Sequence, residues 1–199
     1  AMVLCYQGHL EQARRVHHQA LALAERMGPV HVAAVSSVSG ATVHQFAGDV
    51  AEARAFAHQL AAQADEIGSV AHMKQIAEHL LGWAEARKGR TGPGIDRMRD
   101  SLRTWIDLGY GDRMSQFLGM LAEGCALAHQ PEEGLRAVGR AFEHVERTGE
   151  RYYVAELHRL QGELLLQSGQ GGGVLRGLLY VARRPGEALG ERGALLICK

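Results

Sequence analysis

Eleven histidines are the side chains of this sequence best suited to chemistry, and a metal centre is what they first suggest. The tightest groupings are His17 with His18, and His72 with His79. Adjacent side chains on a helix diverge by about 100°, and a step of seven residues brings only two ligands to one face. Zinc needs three or four. Ala77-Glu78-His79 also lacks the second histidine of a zinc-protease motif. Nucleophilic catalysis finds no better support. Ser36, Ser37 and Ser39 fall on an expected helix without a strand-to-helix elbow. Cys125 lies in an apolar run beside Leu121 and Leu127, where a structural thiol is expected. Gly171 to Gly173 are followed by no Lys-Ser or Lys-Thr, so they do not make a phosphate loop. The reading expects no catalytic residue, no cofactor and no metal. Its rival is a small helical enzyme using His79 or Cys125, which loss of turnover on replacing either residue would favour.

Charge excludes further classes. The 22 Lys and Arg balance 22 Asp and Glu without a block of either sign, so the electrostatic footprint of a nucleic-acid or anionic-membrane binder is missing. Three scattered cysteines, Cys5, Cys125 and Cys198, form no Cys-x-x-Cys motif and read as reduced thiols. No apolar run approaches a membrane span and no signal-peptide order opens the chain, so the expected location is cytoplasmic.

The elements that must position any site are announced by glycines. Gly28, Gly68, Gly109 and Gly149 follow one another at 40, 41 and 40 residues, a period that marks a repeat protein. A second series, Gly8, Gly48, Gly89 and Gly169, keeps the same time, with His129-Gln130-Pro131 filling its gap. Each repeat is therefore two helices and two turns. Helices are expected over 10–27, 30–47, 50–67, 70–88, 95–108, 113–128, 132–148 and 150–167. Residues 1–7 read as the tail of a helix whose beginning is missing, and the chain as a piece of something longer. Asp49 with Glu52 makes a capping box, Ser69 can cap the next helix, and Pro131 suits a first turn. Small residues at Ala13, Ala53, Gly94 and Gly134, each 15 before a closing glycine, should let helices approach closely. Core is expected at Ala24, Ala64, Trp105 and Val145, and at Met27, Ile67, Leu108 and Thr148. The fold class expected is all-α: a right-handed α-solenoid of tetratricopeptide-like helix-turn-helix repeats over 1–168.

Gln130-Pro131-Glu132-Glu133, and the run from Thr148-Gly149-Glu150-Arg151-Tyr152-Tyr153 through Leu164-Leu165-Leu166, carry a family likeness. They resemble the C-terminal tetratricopeptide-like region of bacterial multidomain signalling ATPases, in which an AAA-type ATPase is fused to a class III adenylate or guanylate cyclase or to a DNA-binding regulator. The resemblance covers residues 5–168 and is strongest at 148–166. It implies a regulatory module without its enzyme, because no Gly-x-x-x-x-Gly-Lys-Ser loop or cyclase carboxylate pair is here to receive the parent's catalytic roles.

What remains for function is a surface. With Gly40, Gly82, Ala122 and Gly162 set at equivalent small positions, the first helices should point His44, Gln45, His79, Trp83, Arg87, Gln116, Glu123, Glu156, Arg159 and Glu163 into a concave groove. Trp83 and Arg87, one turn apart, would make a binding pair of aromatic and bidentate donor. The alternative is that Trp83 packs on a neighbouring helix and Arg87 pairs with Glu85 or solvent. The expected occupant is a protein or peptide, or neighbouring domains of the parent; a small-molecule effector is a second option, and nucleic acid and membrane are not expected. The array could also be a spacer that recognises nothing, a reading that gains if bulky side chains fill the groove.

From 169 to 199 the pattern fails. Gly171, Gly172, Gly173, Gly177, Pro185, Gly186, Gly190 and Gly193 oppose the helix that the phase demands. Either the tail is divergent or the reading frame shifted near Gly171. At most one short helix is expected, near 174–183, leaving Leu160, Leu164 and Leu165 in need of cover and the fragment inclined to self-association.

Overall fold

A computed structural model describes residues 1–68 and 70–169, apart from the Glu25 side chain. The expectations placed on Ser69, Cys198 and the tail therefore lie outside the described residues. The order is α1 (Met2–Tyr6), α2 (Leu10–Met27), α3 (Val30–Phe46), α4 (Val50–Ile67), α5 (Ala71–Arg87), α6 (Thr91–Asp107), α7 (Met114–Leu127), α8 (Pro131–Thr148) and α9 (Val154–Gln167). No strand occurs among the described residues. The described residues form two compact units, one of Ala1–Cys5 and His9–Tyr110, the other of Tyr6–Gly8 and residues 111–169.

The glycine clock has a conformational cause. Gly8, Gly28, Gly48, Gly68, Gly89, Gly109, Gly149 and Gly169 all have positive φ, and His129 occupies the missing beat with φ 55°. In this left-handed region a side chain crowds the backbone and glycine does not. His129 performs the same turn. The N–H of the residue after it bonds the carbonyl five back, Gln130 to Cys125 O at 2.9 Å, as Asp49 does to His44 O at 2.9 Å and Arg90 to Glu85 O at 3.0 Å. This 6→1 bond closes a helix C-terminus. Replacing His129 by glycine should therefore keep the turn and stabilise the second unit by about 1 kcal/mol, read as a raised denaturant midpoint at unchanged slope; a lowered midpoint would contradict it.

Helix limits follow local chemistry and lie within one residue of the expected ones, with two departures of four residues. α6 begins at Thr91, four residues before the expected start at 95, because Pro93 falls in its first turn, where no intrahelical N–H is needed. α9 starts at Val154 and not at 150, leaving Glu150 outside any helix. Asp49 caps α4 by accepting from Glu52 N–H at 3.3 Å, but its own N–H goes to His44 O, so the reciprocal half of the box is replaced by the 6→1 turn.

In the first unit α3 packs against α2, α4 and α5, and α5 also against α4 and α6. Its core holds Leu60, Ile76, Leu80, Leu81, Trp83, Ile95, Met98 and Trp105. The α5–α6 approach is close enough that a Cβ on Gly94 would lie 2.5 Å from Gly82 O, and one on Gly82 would lie 2.7 Å from Gly94 O. Arg97 of α6 ties the same pair, with Nε 2.6 Å from Glu78 and Nη1 3.1 Å from Glu85.

In the second unit α7, α8 and α9 pack on one another around Phe117, Leu118, Met120, Val138, Leu157 and Leu160. Leu164 is fully buried against the position of Gly134. Leu160 and Leu164 are buried, Leu165 is half-buried and Leu166 is 61% exposed; the cover expected from the tail lies outside the described residues. Ala13, Ala53, Gly94 and Gly134 are buried, as are Ala24, Ala64, Trp105 and Val145. Met27 and Leu108, expected in the core, are 56% and 44% exposed, and Thr148 is exposed too. Place in the repeat sets which way a side chain points, not what lies opposite it.

Candidate functional site

The first-unit candidates sit on α3 and α5, helices covered by three neighbours each. For that reason His44, Gln45, His79 and Trp83 are buried and present no side chain to an open groove. Two of the histidines there have internal partners, although His44 Nε2 has no hydrogen-bond partner. Ser101 donates its proton to Met98 O at 2.9 Å, so its oxygen accepts from His79 Nδ1 at 2.8 Å, which fixes the Nδ1–H tautomer. His44 Nδ1 donates to Asp49 Oδ2 at 3.3 Å. Trp83 packs inside, as the alternative reading had it, yet exposed Arg87 stays with it: the guanidinium carbon lies 5.9 Å from the ring centroid. Glu85 pairs with Arg97 and, at 4.0 Å, with Arg90.

In the second unit Gln116 is buried and accepts from Tyr152 OH at 3.5 Å, so it too is withdrawn from any open stripe. Glu123, Glu156, Arg159 and Glu163 are half-buried. Arg159 binds both oxygens of Glu156, with Nη2 2.6 Å from Oε1 and Nε 2.9 Å from Oε2, and reaches Glu163 at 2.9 Å. The Glu156 hydrogen bonds, ahead of its charge and Glu163, raise the Arg159 pKa despite burial. The result is a fixed, charged patch along α9.

Sequence reasoning missed a polar cluster at the start of α7. Arg113, the N-cap, is left-handed at φ 61° and provides no side-chain cap. Glu150 caps from the α8–α9 turn: its Oε1 accepts from Ser115 N–H at 2.9 Å and from Ser115 Oγ. Its Oε2 lies 3.6 Å from His144 Nε2. Burial first, then the Glu150 charge, raises the Tyr152 hydroxyl far above the ordinary tyrosine pKa. The cluster is a helix cap with its support. Its serine donates to the carboxylate, whereas a triad would place a histidine between serine and acid.

The two side chains of the enzyme alternative, His79 and Cys125, are fully buried. Among the described residues no three His, Cys, Asp or Glu side chains gather as a metal site. None of the described helices is long and apolar enough to cross a membrane.

Comparison with known proteins places this geometry. A solved Podospora anserina protein, described as kinesin light chain-like with nearly identical tetratricopeptide-like repeats, superposes with a TM-score of 0.55. The match covers 92% of this chain and 90% of that one at 16% identity, a likeness of fold. The chain is an all-α protein of tetratricopeptide-like helical repeats. An uncharacterised protein of Rhizobium meliloti is 33% identical over 89 residues, which is 45% of this chain and 9% of that protein. The chain thus spans a small fraction of that relative's length. No protein-family model matches the sequence.

Proposed function

We propose that this chain is a non-catalytic protein-interaction or sensor module of a larger bacterial signalling protein, of the kind in which an ATPase is joined to a cyclase or a DNA-binding output domain. The observation that carries the reading is the Trp83–Arg87 pair, in which a buried ring holds an exposed guanidinium at 5.9 Å on a rigid helix. A cation on an aromatic face over a packed core needs little further ordering to bind a carboxylate or a carbonyl. Tetratricopeptide-like repeats serve in general as protein-binding surfaces. Glu123, Glu156, Arg159 and Glu163, all in the second unit, are the further contacts proposed, for a protein or peptide partner or a neighbouring domain of the parent.

Arg87→Ala should leave thermal unfolding within about 1 kcal/mol of the parent, since a partly solvated cation–π contact is worth no more. The same variant, used as bait in affinity capture from the source organism, should recover less of whatever the parent chain retains, while Arg103→Ala on α6 should recover as much. Equal recovery by the Arg87 variant would remove the pair from the interface. A second reading, the structural spacer, is favoured by burial of His44, Gln45, His79, Trp83 and Gln116 in the first helices.

A further inference from the structure

His17 of α2 is a fully buried histidine, and neither of its ring nitrogens has a hydrogen-bond partner. Its ring stands edge-on to Phe56 of α4, with centroids 4.9 Å apart at 82°, and edge-on to His44 of α3 at 6.4 Å. His44 stacks on the other side of the cluster, 5.6 Å from Phe56. Gly40 of α3 makes room: a Cβ there would lie 2.6 Å from His17 Nε2. This arrangement suits a neutral imidazole. An imidazolium would be buried with two donors and no acceptor, against an aromatic edge and a second histidine.

The geometry points to His17, seated between Gly40, His44 and Phe56, as an acid-sensitive latch: protonation of its ring releases α2 from α3 and α4. The groups that act on it are uniformly unfavourable to a proton. They are His18 on its own helix, with ring centroids 5.9 Å away, His44 from α3 and the amino group of Ala1. Asp49, a carboxylate that reaches the cluster, is engaged with His44 Nδ1. Phe56 from α4 carries no charge. Burial, ahead of His18, His44 and the amino group, holds the ring at about 4. In an opened α2 it would titrate near its ordinary value of 6.5. Between those values the open state binds one more proton than the closed one, so acid favours opening and the stabilisation is complete only above about pH 6.5.

The test uses the full chain. Amide protection factors along α2 should fall about tenfold for each pH unit lost between 6.5 and 4.5, the slope of one linked proton. Histidine-labelled NMR on the same chain should show the His17 ring still neutral at pH 5 in the closed form. In His17→Phe, which keeps a ring on Phe56 but cannot titrate, this slope should be shallower by one proton. The same slope in His17→Phe would overturn the proposal. Should that variant fail to fold, the parent ring decides: titration near 6.5 with α2 still protected would also overturn it.

Discussion

Replacing Gly94 by alanine should destabilise the first unit by about 3 kcal/mol, the upper range for overpacking a tight interior. The added methyl would lie 2.5 Å from Gly82 O and 2.7 Å from Ala86 N. Both atoms are backbone, so no rotamer change relieves the clash and α5 must move off α6. That movement would open the packing around Trp83, Ile95 and Met98, all buried beside the contact. Chemical denaturation followed by tryptophan fluorescence reads the effect, since both tryptophans, Trp83 and Trp105, belong to this unit. Gly139→Ala, in the second unit and followed by helical circular dichroism, is the control. Nothing lies within 4 Å of a Cβ there, on the exposed side of α8, so the substitution should stabilise by up to about 1 kcal/mol through helix propensity. Similar losses from both would argue that glycine content, not the close approach, governs stability.

Glu150→Ala should cost the second unit about 3 kcal/mol, because removing the carboxylate leaves buried donors without their acceptor. Ser115 N–H and Oγ both point at Glu150 Oε1, and His144 Nε2 faces its other oxygen. Left-handed Arg113, the N-cap residue of α7, provides no side-chain cap of its own. Glu150→Gln retains one acceptor oxygen and should recover more than half of the loss, separating hydrogen bonding from charge. Helical circular dichroism against denaturant measures both variants. An alanine variant as stable as the parent would show that α7 is capped by solvent.

The sequence shows the repeat because left-handed turns leave a mark that side-chain chemistry does not blur. Gly28, Gly68, Gly109 and Gly149 are needed by backbone geometry alone, and even His129, which breaks the pattern, stands where the phase requires a turn. Burial of the first helices is less visible. α3 carries Ser36, Ser37, Thr42, His44 and Gln45 among its buried residues, which in isolation read as an open polar face. A helix packed on three neighbours buries polar residues too. Two of them meet their needs within the helix, Ser37 donating to Ala33 O at 3.1 Å and Thr42 to Val38 O at 2.9 Å. The Glu150 cap joins residues 35 apart and rests on the fold, so no local motif announces it.

The functional reading turns on whether first-helix side chains meet another protein. A photoactivatable phenylalanine analogue placed at Glu123 on α7 or Glu163 on α9, and at the exposed second-helix positions Arg103 and Arg140 for comparison, tests this directly when the parent protein is expressed in its native host. An interaction module predicts discrete protein adducts on irradiation from positions 123 and 163, and none from 103 and 140. Absence of adducts at the first-helix positions, or equal adducts at all four, would contradict it.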